Sequence, residues 1–145
     1  MFAAVALLVI VLDRVTKIYI DKTMTLGQSR PFLGSLASLT YIHNSGAAFS
    51  ILEGKQMLLI GLTGAVMVAL CVYVSYYGKK LSFWERLSLA LIVGGGIGNL
   101  ICRIKYGYVI DFINIHFIPI FNVADIAITI GCFLFCICVV FPKKK

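Results

Sequence analysis

Six acidic residues occur in the 145-residue chain, and three of them, Asp13, Asp111 and Asp125, adjoin long apolar stretches. An ionised carboxylate at a bilayer centre costs roughly 2.5–3.5 kcal/mol even on insertion scales. Such acids sit where water reaches them or have a function that offsets the cost. Two carboxylates held close in a partly apolar site do not both ionise readily, so one keeps a proton. One member then serves as general base toward water, and the other as an acid that polarises a carbonyl. Each acid also has a structural reading. Asp13 and Lys17 stand four apart on one helix face and can neutralise each other. Asn122 and Asp125 have the N-cap and N3 spacing of a capping box. A loop position facing water would account for Asp111.

Other chemistry is thinly supported. No Ser/His/Asp or Cys/His set competes; His43 reads as a turn or surface residue and His116 as a headgroup-level one. A metal site from Cys102, Asp111, His116 and Asp125 lacks a ligand-spacing motif such as HExxH, so neither metal nor cofactor is expected. "GGGIGN" at 94–99 does not follow a strand, which excludes a dinucleotide loop. Gly94 and Gly98, four apart in an apolar helix, instead make a close-packing face for a neighbouring helix. Asn99 then points a polar group into the bundle one turn from Arg103, which can orient a peptide carbonyl or pair with a carboxylate.

The elements that must position these residues are membrane helices. The chain is 61% hydrophobic and 13% charged, whereas a soluble domain is about 45–50% apolar and about 25% charged. Spanning a hydrocarbon core of about 30 Å takes roughly 20 residues. Four segments qualify or nearly so: 2–12 continuing toward Ile20, 57–77, 87–101 extended through Cys102, and 123–141. A cleaved signal peptide is the rival for the first, but it lacks a basic n-region and Asp13-Arg14 follows Leu12 at once. The net charge of +7 reads as topology rather than nucleic-acid binding. Lys79, Lys80 and Arg86 fall in one short link and Lys143, Lys144 and Lys145 at the C-terminal end, marking one cytoplasmic side that holds both termini. Five cysteines form no disulfide framework: Cys71, Cys132, Cys136 and Cys138 fall within expected spans, and Cys102 near the outer face has no evident partner. All three candidate acids then lie at or near the outer end of a span.

Two segments lie outside, 21–56 and 103–122. In the first, Thr40, Tyr41 and Ile42 favour extended structure and Asn44-Ser45-Gly46 a turn, so a small strand-and-turn element rests on the membrane surface. In the second, polar and apolar residues alternate without a helical period, Pro119 blocks regular continuation, and Tyr106, Tyr108, Phe112, Phe117 and Phe121 suit the headgroup level.

Five motifs in order, "DRVTK" at 13–17, "NSGAAFS" at 44–50, "GGGIGNLICR" at 94–103, "YVIDF" at 108–112 and "FNVAD" at 121–125, resemble those of the bacterial lipoprotein signal peptidases, the type II signal peptidases. The resemblance implies an all-α membrane protein of one domain, 1–145. It has four transmembrane helices (about 2–20, 57–77, 87–102 and 123–141), a small extracytoplasmic β-cradle, and a loop or short helix over the active site. It implies an aspartic endopeptidase in the bacterial cytoplasmic membrane, acting as a monomer among membrane lipids. Such an enzyme cuts diacylglyceryl-modified prolipoproteins just before the lipidated cysteine. By the same resemblance Asp111 and Asp125 are the catalytic pair, and Asn44, Asn99, Arg103, Asn122, Asp13 and Lys17 support it. Asn44 and Arg103 would hold substrate carbonyls, and the Asp13–Lys17 pair would support the bundle. The family pattern Gly-Asn-x-x-Asp-Arg is broken here by Cys102. A thiol cannot offer Arg103 the charge-assisted bonds of a carboxylate, so weaker activity is expected. The alternatives are a small four-helix proton-coupled exporter, which would want its carboxylate at mid-membrane, and a non-catalytic scaffold, which leaves the acids without purpose.

Overall fold

The computed structural model describes residues 1–34, 36–46 and 55–141. The second half of "NSGAAFS", part of the first outer segment and Lys143 to Lys145 therefore lie outside the described residues. Four helices and one small sheet make up the rest: α1 (Phe2–Thr23), β1 (Ser29–Pro31), β2 (Ser38–Asn44), α2 (Gln56–Tyr77), α3 (Phe83–Tyr106), β3 (Val109–Asn114) and α4 (Val123–Val140).

Three of these helices, α2, α3 and α4, are long and apolar enough to cross a membrane. The 22 residues of α1 include Asp13, Arg14 and Lys17 near their middle, which sets this helix apart. Exposed leucines and valines line α1 and α2, and exposed isoleucines and valines line α4.

α3 is the helix that the other three pack against, and its glycines explain how. A Cβ on Gly94 would come within 2.8 Å of the Ala6 carbonyl of α1, and one on Gly98 within 2.6 Å of the Asp13 carboxylate. The expected Gly94/Gly98 face is thus turned to α1. Gly95 lies equally tightly against the Ala124 carbonyl of α4, and Gly96 against Met67 of α2. One run of small residues therefore admits three neighbours at different sides of one helix.

α3 is longer at both ends than its apolar run. At its start Ser82 and Glu85 form a reciprocal capping box, so the helix opens one turn before Leu87. At its end Gly107 adopts the left-handed conformation, φ 77°, which terminates the helix only after Tyr106. Arg103 and Lys105 are therefore in its last turn, not in an outer loop.

The sheet has the order β1-β2-β3, antiparallel throughout, with Ser29 opposite Thr40 and Ile42 opposite Asp111. Its third strand comes from the second outer segment, so both segments build one element. Ile20 and Met24 at the end of α1 pack with Tyr41, Ile110 and Phe112 of the sheet, seating it on that helix. After β3 the chain loops out and returns at Phe121, which exchanges backbone hydrogen bonds with Ile113 at 2.8 and 3.1 Å. That return delivers Asn122 to the first position before α4, within reach of β3.

Candidate active site

Asp111 sits at the middle of β3, only 1% exposed, rather than in a water-facing loop. Strand pairing with Ile42 fixes its backbone, and two amides fix its side chain. Asn44 Nδ2 donates to Oδ2 at 2.8 Å, and Asn122 Nδ2 to Oδ1 at 2.6 Å. Burial pushes the Asp111 carboxyl up from its ordinary 3.8 to about 6; the Asn44 and Asn122 hydrogen bonds oppose the rise, and the nearby Asp125 charge adds to it.

Asp125 stands at the third position of α4. The expected capping box is present: the Asp125 amide donates to Asn122 Oδ1 at 3.0 Å, and the Asn122 amide to Asp125 Oδ2 at 3.1 Å. The remaining oxygen, Oδ1, accepts from Asn99 Nδ2 at 2.8 Å. Asn122 is thus the hinge of the arrangement. Its side-chain oxygen caps α4, while its side-chain nitrogen reaches both Asp111 and, at 3.2 Å, Asn99 Oδ1. A helix-cap residue that also spans two other elements ties both carboxylates to one rigid frame.

Behind this frame lies a buried ion pair. Lys17 Nζ meets Asp13 Oδ2 at 2.8 Å, both side chains being fully buried. Neither group is idle. Lys17 also donates to Asn99 Oδ1 at 2.7 Å, which orients the Asn99 amide toward Asp125. Asp13 Oδ1 accepts the backbone N–H of Ala124 at 3.1 Å, a first-turn donor of α4 that no helix carbonyl can serve. The pair is a positioning device joining α1, α3 and α4.

Arg103 and Asn44 have different standing. Asn44 Nδ2 gives one of its two N–H donors to Asp111, and its oxygen accepts from the Gly46 amide at 3.0 Å, so it orients that carboxylate. Arg103 Nη2 donates to the Gly46 carbonyl at 3.0 Å, while its buried Nε has no partner among the described residues. That leaves Arg103 a donor to spare.

These side chains open onto a cavity of about 440 Å³, within the range of ligand sites. Asn44, Asn99, Arg103, Asp111 and Asp125 form its polar wall, while Ile118 to Phe121 of the returning loop and Ile128 of α4 form the apolar one. Two carboxylates and a spare guanidinium donor beside an apolar wall can act as acid, base and carbonyl donor toward a bound molecule.

A model of signal peptidase II matches residues 5–141 of the chain. The chain belongs to the signal peptidase II family. It is similar to the lipoprotein signal peptidase of Moorella thermoacetica, 42% identical over 136 residues, which is 93% of this chain and 89% of that protein. The lipoprotein signal peptidase of Streptococcus pyogenes serotype M6 is 39% identical over 140 residues, 95% of this chain and 91% of that one. Among solved structures, a bacterial membrane enzyme determined in meso at 2.3 Å resolution superposes with a TM-score of 0.89 at 32% identity, covering 99% of this chain and 92% of its own. A second, at 1.9 Å, gives 0.84 at 31% identity, with 99% and 94% covered. The chain is therefore a membrane peptidase with a mostly helical fold and a small three-stranded sheet.

Within this signal peptidase, one expectation changes. The thiol of Cys102 faces Arg14, whose Nη1 donates to it at 2.9 Å, and not Arg103. The sulfur is buried on the α1 side of α3, while Arg103 lines the cavity. His43 stacks on Tyr108 at 3.7 Å and His116 is exposed, so neither joins the two aspartates. Sequence reasoning missed Arg14 because its partner lies 88 residues away; no local spacing encodes such a contact.

Proposed function

We propose that the chain cleaves diacylglyceryl-modified prolipoproteins just before the lipidated cysteine, with Asp111 and Asp125 as an aspartate dyad that activates water. The observation that carries this reading is the Asn122-centred frame. It ties two carboxylates from separate elements to one cavity, one of them raised to about 6 by burial. Asp111, the deeper acid, holds the proton and donates it toward the scissile carbonyl. Asp125, half-buried and facing the cavity, takes the proton of the attacking water. The free Nε–H of Arg103 supplies a donor for a neighbouring substrate carbonyl. The apolar wall of Ile118, Ile120, Phe121 and Ile128 receives the substrate's hydrocarbon.

In the same reading α1 is a fourth span. Its 22 residues measure about 33 Å, and the two buried charges, Asp13 and Lys17, neutralise each other away from lipid. Both termini then lie in the cytoplasm with the Lys79–Lys80 turn, while the sheet and dyad lie at the outer face, where water arrives. Asp125 in the first turn of α4 and Asp111 beyond the end of α3 favour hydrolysis over an exporter's mid-membrane carboxylate.

The test is incubation of the purified chain with a diacylglyceryl-modified prolipoprotein peptide and with the same peptide unmodified, products identified by mass. One cut immediately before the lipidated cysteine, dependent on the lipid, is expected. A cut elsewhere, or equal cutting of both peptides, would refute the assignment.

A further inference from the structure

Two cations outside the cavity have no acid to balance them among the described residues. Arg14 of α1 and Lys105 of α3 converge on one ring: the Arg14 guanidinium carbon lies 5.8 Å and the Lys105 Nζ 5.0 Å from the centroid of Tyr106. Neither makes an ion pair with a carboxylate among the described residues. Arg14 hydrogen-bonds the Cys102 thiol and the Tyr106 hydroxyl, and Lys105 the same hydroxyl, neutral groups that bring no carboxylate.

The surroundings point to lipid. Arg14 shares its helix row with Val11, one turn below, and Ile18, one turn above, which are 47% and 41% exposed. A cation in such a row is costly unless it reaches the headgroup level or meets an anion there. Tyr106 stacks toward Tyr108 at 5.8 Å, and Tyr108 on His43 at 3.7 Å. This aromatic edge joins the last turn of α3 to the sheet, with the amphipathic character of a membrane interface. Lys105 is exposed and Arg14 partly so, so a ligand arriving from the bilayer can reach both.

We propose that Arg14 and Lys105, gathered on Tyr106 at the α1–α3 seam, bind the phosphate of an anionic phospholipid in the outer leaflet. The planar fork of Arg14 takes two phosphate oxygens while Lys105 adds a point charge. The acyl chains descend along Val11. None of Arg14, Lys105 and Tyr106 lines the cavity that holds the two aspartates.

The experiment reconstitutes the full chain in nanodiscs of phosphatidylcholine containing a minor fraction of phosphatidylglycerol and counts retained lipids by native mass spectrometry. Each cation near a membrane surface contributes about fivefold, so the wild type enriches phosphatidylglycerol by about 25-fold. Lys105→Gln, an exposed change that leaves packing alone, loses about fivefold, and Arg14→Gln with Lys105→Gln loses the preference altogether. Cys102→Asp places a carboxylate beside Arg14 and lowers the enrichment by about fivefold, whereas Arg14→Lys keeps most of it. Undiminished enrichment in Lys105→Gln and in the double variant overturns the proposal. So does displacement of the retained lipid by millimolar inorganic phosphate, which would make the ligand a free anion.

Discussion

Two helices of this chain begin with the same device. Ser82 and Glu85 cap α3 reciprocally, and Asn122 and Asp125 cap α4 in the same way. The first box is exposed, with Ser82 N to Glu85 Oε2 at 2.6 Å, and it serves helix initiation. The second is enclosed: Asn122 is fully buried and reaches Asp111 and Asn99 as well as the α4 amides. The difference lies less in the motif than in what surrounds it. An exposed cap is replaceable by water, whereas a buried one binds every partner left without solvent to the same geometry. A local folding signal becomes the frame of the proposed dyad when it is buried against a strand and two helices.

The sharpest way to break the frame is from behind. Asp13→Ala strands the Lys17 ammonium in a fully buried site and supplies nothing to replace its counter-charge. Losing one partner of a buried pair is expected to cost about 3–5 kcal/mol, seen as a large drop in thermal midpoint. Replacing both, as Asp13→Leu with Lys17→Met, should recover much of that stability but not the cleavage rate, because Asn99 loses its orientation.

Ionisation of Asp111 acts next. Its carboxyl is raised from 3.8 to about 6 by burial, so the folded state holds this proton more tightly than the unfolded chain. The resulting stabilisation is complete below about pH 4 and is lost as pH climbs through 6, a difference on the order of 3 kcal/mol. Unfolding of wild type and Asp111→Asn compared from pH 4 to pH 7 checks the sign: wild type should lose stability relative to the variant as pH rises. The cleavage rate should fall over the same interval above pH 6, as the dyad loses its shared proton.

The two caps complete the comparison. Asn122→Ala removes the α4 cap and leaves buried polar partners unpaired, costing about 2–3 kcal/mol and slowing cleavage by roughly two orders of magnitude or more. Ser82→Ala should cost only about 1 kcal/mol and leave the cleavage rate essentially at the wild-type level. Equal effects of both substitutions on that rate would dissolve the distinction.

Much of this frame can be read from local spacing. The Asp13–Lys17 pair and the Asn122–Asp125 box follow from intervals of four and three residues, and Gly94 with Gly98 from small residues one turn apart. The early start of α3 is also encoded, in Ser82-x-x-Glu85, and its late end in Gly107, both beyond the apolar run itself. Other features have no local signature. The strand character of 109–114 depends on pairing with β2, because all four of Val109, Ile110, Asp111 and Phe112 are buried and no alternation survives. Tyr41, which bonds both Asp21 at 2.5 Å and His43 at 2.8 Å, gives no hint in sequence of joining helix to sheet. The Arg14–Cys102 contact spans 88 residues, and a residue-by-residue reading assigns Cys102 to its sequence neighbour Arg103 instead.

The central claim is that Asp111 and Asp125 act together on one water molecule. It is tested most directly by cleavage of a diacylglyceryl-modified prolipoprotein peptide by wild type, Asp111→Asn and Asp125→Asn, each first checked for an unchanged fold. The dyad predicts that either substitution alone abolishes cleavage, with a loss of roughly 1,000-fold or more, and that combining them costs little further. Cleavage by either single variant at the wild-type rate would contradict it.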